Sequence, residues 1–120
     1  MRLLAALVVL LLGAAPVHAQ SWIIQGADRY FHVEWTMSAR GGAPLMDGYV
    51  HNRAGSAADH VRVLVESLDA GGAVTAQTIG YLPGVVVNNN RTYFSLRVPA
   101  AGNYRVRVAS WDWVPSGPMQ

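Results

Sequence analysis

The chain contains no cysteine and no lysine. Without cysteine there are no disulfides to compensate for a small core and no thiolate metal ligands, so apolar packing alone must hold the fold. Without lysine every fixed positive side-chain charge is a guanidinium, the group best suited to bidentate pairing and to stacking on aromatic rings. Charge of either sign is scarce: nine basic residues and seven acidic ones give a formal net charge of +2 across 120 residues. A nucleic-acid binder needs a broad basic face, and a chain this close to neutrality does not supply one. Beyond the N-terminus there is no helical periodicity and no apolar run long enough to span a bilayer.

The N-terminus reads as a secretory signal peptide over residues 1–19. Arg2 supplies the charged start, Leu3 to Ala15 the apolar run, and Val17-His18-Ala19 the small-residue cleavage site. The apolar run is about 13 residues where a membrane span needs roughly 20, which favours cleavage after Ala19 over a retained anchor. A lipid anchor at that site would require a cysteine. The expected product is a secreted or periplasmic chain from Gln20, with one β-sandwich domain over residues 20–114 and a proline-bearing tail over 115–120.

Alternation dominates that mature part. Phe31, Val33, Trp35 and Met37 share one face of a first strand, with Tyr30, His32, Glu34 and Thr36 on the other. Gly41-Gly42 breaks the run. A shorter, weaker strand then offers Met46, Gly48, Val50 and Asn52 to the same side. An unbulged hairpin centred on the two glycines pairs Val33 with Val50, Trp35 with Gly48, Met37 with Met46 and, on the outer face, His32 with His51.

Val61, Val63 and Val65 mark a central strand rich in β-branched residues, and the irregular stretch from Ala73 to Leu82 reads as an edge. Thr92 to Val98 and Tyr104 to Val108 supply two more alternating runs, the last expected to be the longest. The predicted class is all-β: an antiparallel immunoglobulin-like β-sandwich of six or seven strands, of Greek-key type. Ala100-Ala101-Gly102-Asn103-Tyr104 also has the form of a tyrosine corner, in which a tyrosine opening a late strand bonds back to upstream backbone; an ordinary strand tyrosine is the alternative.

The succession Gly48-Tyr49-Val50-His51-Asn52, Val61-Arg62-Val63, Leu68-Asp69 before a glycine turn, Leu82-Pro83-Gly84 and Phe94 resembles the FxLYD domain family over residues 45–110. That resemblance implies an immunoglobulin-like β-sandwich module of an exported prokaryotic protein, and it implies no reaction. At the motif that names the family this chain reads Val65-Glu66-Ser67-Leu68-Asp69, which keeps only the aspartate. The Cys, Trp and Cys pattern of true immunoglobulin domains is absent.

Three functional classes follow. An interaction module is favoured: Arg62 on the central strand, with Arg105, Arg107, Trp111 and Trp113 sharing one parity on the last strand, would form an outward stripe of the composition found at binding hot spots. Its partner would be a protein or cell-envelope component, with no nucleic acid and no cofactor. A bulge near Ala109 or Ser110 would instead reverse the parity and turn a tryptophan inward to close the core. The second class is a metal-handling domain using His32 and His51, with Glu34 nearby. The third, a small enzyme, requires a cleft that holds a histidine and a carboxylate in contact; Ser56, Asp59 and His60 are close in sequence but lie in a stretch composed as a turn.

Overall fold

The computed structural model describes residues 22–115, so the signal segment and all of the tail but Pro115 lie outside the described residues. The described chain is all-β: after one helical turn at Ala27–Arg29 come six strands. They are β1 (Phe31–Arg40), β2 (Ala43–Asn52), β3 (Ala58–Leu68), β4 (Val74–Tyr81), β5 (Asn90–Arg97) and β6 (Asn103–Trp113). Two three-stranded antiparallel sheets result, ordered β1-β2-β5 and β4-β3-β6. Both hairpins stay within a sheet, whereas the connections β2 to β3, β4 to β5 and β5 to β6 each cross to the other one. Among the described residues no helix is long and apolar enough to cross a membrane.

The β1–β2 hairpin shows the register expected from its alternation, with Val33 opposite Val50, Trp35 opposite Gly48, Met37 opposite Met46 and His32 opposite His51. Gly41 and Gly42 form the two-residue turn at φ values of 65° and 79°, which suits the twist of the strands and is costly for a residue with a side chain. The second strand is as long as the first, ten residues each, because β5 covers its other flank and extends the ladder. As predicted, β3 is central and β4 is an edge.

Inward side chains from both sheets close on one core, in which Met46, Val50, Val61, Val63 and Val65 are fully buried. Valine-rich alternation produces this result directly, since stiff β-branched side chains lose little freedom on a pleated surface. Asn52 is also buried. It donates from Nδ2 to the carbonyls of Ser56 and Val86, at 2.9 and 3.0 Å, and accepts from the Ala54 amide at 2.9 Å. One amide side chain thus ties the end of β2 to the loop behind it and to the Val86 segment, which itself exchanges backbone bonds with Ala58.

Tyr104 opens β6 and donates its hydroxyl proton to the Pro99 carbonyl at 2.6 Å, the tyrosine-corner bond. Tyr104→Phe should therefore lower stability by about 1 kcal/mol, the usual net worth of one hydrogen bond, without changing the dependence on denaturant. Urea unfolding of the two proteins checks it; equal midpoints would show that the corner contributes nothing.

Candidate functional site

The last strand departs from simple alternation where the sequence allowed for a bulge. Val63 pairs with Val108 but Arg62 pairs with Ser110, so Ala109 is an extra residue in β6. A second irregularity lies opposite, between Asp59 and Arg62, where His60 sits at φ 50°. The first reverses the parity of β6 and the second that of β3, where Ala58 and Val61 both face inward. Arg105 and Arg107 face outward, while Trp111, only 8% exposed, turns to the core.

The outward stripe expected of Arg62, Arg105, Arg107, Trp111 and Trp113 is therefore corrected at Trp111, which turns inward, while Arg105 and Arg107 keep the expected outward face. Trp111 stands edge-on to Phe31 with ring centroids 4.9 Å apart, and Trp113, 39% exposed, stacks on Phe31 at 5.8 Å and meets Tyr30 at 5.2 Å. The physical reason is burial: aromatic rings carry the largest apolar area available, and a one-residue bulge suffices to bring two of them over the end of the core.

The arginines have a structural task. Glu66 lies on the outer face of β3 yet is only 4% exposed, and Arg105 donates from Nε to its Oε1 at 2.7 Å. Burial pushes the Glu66 carboxyl up, but hydrogen bonds from Arg105 and Gln77 and the charges of Arg105 and Arg107 outweigh it and hold the carboxyl below its ordinary value. A carboxyl lowered in the folded state adds stability above its unfolded value, and that stability is lost as pH falls through the folded one. Leu64, also on this face, is 1% exposed and pairs with Arg107, a side chain whose aliphatic stem suits such cover.

Arg62 belongs elsewhere. It donates from Nε to Ser110 Oγ at 2.6 Å, and its guanidinium lies over the Trp22 ring, 5.1 Å from the centroid. It forms no ion pair with a described carboxylate. Around it opens a hollow of about 430 Å³, walled by Trp22, Ile24, Tyr81 and Leu82 and edged by His60 and Asp112. Its volume lies within the range of small-molecule sites, and apolar walls meet a few polar groups at its edge. Tyr81 is 72% exposed, unusual for a large ring on a sheet, and the segment carrying Trp22 is held by the Ile24 amide donating to the Ala109 carbonyl at 2.8 Å.

The left-handed backbone at His60 is a strained conformation for a residue with a side chain, and it aims the imidazole at Asp112, Nδ1 to Oδ2 at 3.0 Å. The hollow thus holds a histidine in contact with a carboxylate. Both side chains are about three-quarters exposed. The neighbouring hydroxyl, Ser110 Oγ, is bonded by Arg62, and no described nucleophile bonds to His60, so the pair lacks the oriented nucleophile that acyl transfer needs.

The outer face of the first sheet carries the other predicted residues. His32 and His51 do lie side by side, their ring centroids 5.8 Å apart. Glu34, however, is committed to His51 at 2.5 Å, and this hydrogen bond is the main cause of its lowered carboxyl pKa. Arg91 stands 3.8 Å from the same oxygen and stacks over Tyr49 at 4.1 Å. Among the described residues no three His, Cys, Asp or Glu side chains converge to hold a metal ion. Glu34, His51 and Arg91 are thus engaged with one another on this face.

Trp22, Tyr81 and Asp112 are the residues that sequence reasoning passed over, while His60 was weighed and read as a turn residue. Only Asp112, set between two tryptophans, stood near a singled-out position. No family model, curated protein or solved structure matches the chain.

Proposed function

We propose that this chain is an exported, non-enzymatic interaction module of the cell envelope, an immunoglobulin-like Greek-key sandwich that holds a protein or envelope component in the hollow at Arg62 and Tyr81. The observation that carries the reading is the hollow itself. It combines an exposed tyrosine, a tryptophan-faced arginine with no carboxylate partner among the described residues and a strained histidine, residue types and strain that gather at recognition sites.

The fold supports the finer assignment. Strand orders β1-β2-β5 and β4-β3-β6, with hairpins inside sheets and longer connections between them, suit a Greek-key arrangement, and the Tyr104 bond to Pro99 is a feature of such sandwiches. The resemblance of residues 45–110 to the FxLYD family and the signal-like N-terminus support export. The exposed His60–Asp112 pair without a nucleophile argues for binding over turnover.

The test uses the mature protein, immobilised and washed with a fractionated envelope extract of the source cell. Wild type should retain a partner that the Arg62→Ala and Tyr81→Ala variants lose by at least tenfold, while Tyr93→Ala, on the opposite sheet, retains it. Equal retention by all four proteins would reject the hollow as the contact surface.

A further inference from the structure

The two sheets are unevenly closed along their edges. On the middle strands the inward residues Val50, Val63 and Val65 are fully buried, but those of β1 and β6 grade outward: Val33, Trp35, Tyr104 and Val106 are half-buried, and Met37 is 36% exposed. These five residues flank one seam, where β1 and β6 approach as the rims of their sheets. Hollows of about 400 and 440 Å³ open at its two ends, one beside Val33 and Val106, the other beside Trp35 and Tyr104.

One flank of β6 is paired along β3. On the other, among the described residues, the backbone bond is that of the Ile24 amide to the Ala109 carbonyl. An eleven-residue strand is long for an edge, and proteins normally blunt such edges because their unpaired amides and carbonyls template another strand. Here the stretch Asn103–Arg107 carries no proline or glycine, and its inward side chains are apolar.

We propose that this flank of β6 receives an extended segment of another polypeptide, which pairs with Asn103–Arg107 as a seventh strand and lays apolar side chains over Val33, Trp35 and Val106. Unpaired edge amides and carbonyls demand an extended backbone, and the half-buried seam demands apolar side chains at alternate positions. The outward positions are acidic. Arg107 makes no close ion pair among the described residues, its charge reaching Glu66 only at longer range, and Arg105, bonded to Glu66, lies two residues away on the same face. A second copy pairing β6 with β6 would set these arginines against their own kind, which cross-strand pairing disfavours, so an acidic segment of a different chain is the better match. The seam is separate from the hollow at Arg62, and the inference does not depend on that site.

The experiment follows backbone amide exchange by NMR in the mature protein with two synthetic ten-residue peptides, one alternating valine with glutamate and the other valine with lysine. The glutamate peptide should slow exchange at least tenfold at the amides of residues 103–107 that point away from β3, and the lysine peptide should not. In Arg107→Glu the preference should pass to the lysine peptide. The proposal is overturned if the glutamate peptide gives no protection, if both peptides protect equally, or if these amides are already protected in the free protein, which would show the edge filled by the chain itself.

Discussion

Replacing Gly48 by alanine should destabilise the protein by about 3 kcal/mol or more, a large share of the roughly 5–15 kcal/mol that holds a domain of this size. The reason is steric and lies in the backbone. A Cβ at this position would overlap the Glu34 carbonyl oxygen and stand 2.9 Å from the Trp35 Cα. Neither is a flexible side chain that can swing away, so β1 and β2 would have to part where Trp35 pairs with Gly48. At about 4–8 °C per kcal/mol the melting temperature should fall by more than about 12 °C. Gly55→Ala is the matched control, since a Cβ there meets nothing within 4 Å, and it should melt within about 2 °C of wild type. A Gly48→Ala protein that melted with the control would show that the strands are not so closely set.

The second large effect is expected at Asn52. Asn52→Asp keeps the shape but replaces a two-proton donor by an acceptor facing the carbonyls of Ser56 and Val86. Three buried oxygens then confront one another, at a cost of about 2–4 kcal/mol at neutral pH. The deficit relative to wild type should shrink as pH falls, because the protonated acid regains one donor. Chemical denaturation at pH 7 and pH 4 measures both parts; a loss under 1 kcal/mol at pH 7 would mean that Asn52 is not the pin described.

These two sites also show what could be read in advance. The Trp35–Gly48 pair and the whole β1–β2 register follow from strict period-two alternation around Gly41-Gly42, a turn that admits one geometry. The central position of β3 follows from its valines. The parity reversal in β6 could be foreseen as an alternative but not decided, because Val108-Ala109-Ser110 contains no glycine or proline to mark a bulge. What decides it is tertiary: Phe31 and Tyr30, distant in sequence, offer Trp111 and Trp113 an aromatic surface.

The hollow was illegible for a related reason. Trp22, His60, Arg62, Tyr81 and Asp112 come from four separate stretches of chain, and no spacing rule joins them. His60 looked like a turn residue, and its left-handed backbone is the product of the irregular pairing between β3 and β6. Arg62 was singled out for its place on the central strand, while the partners that shape its surroundings were not. Asn52, read as one more inward position, gave no sign of its three hydrogen bonds.

The hollow, rather than the arginine face or the histidine face, is the contact surface proposed for this protein. Site-specific photo-crosslinking in the source cell tests it directly, with benzoylphenylalanine placed at Tyr81, at Arg107 and at Tyr93, all exposed positions where the probe leaves the core intact. Position 81 should give a light-dependent adduct of one discrete mass that an added Arg62→Ala substitution abolishes, and position 93 should give no such adduct. Adducts from 93 or 107 with none from 81 would contradict that proposal.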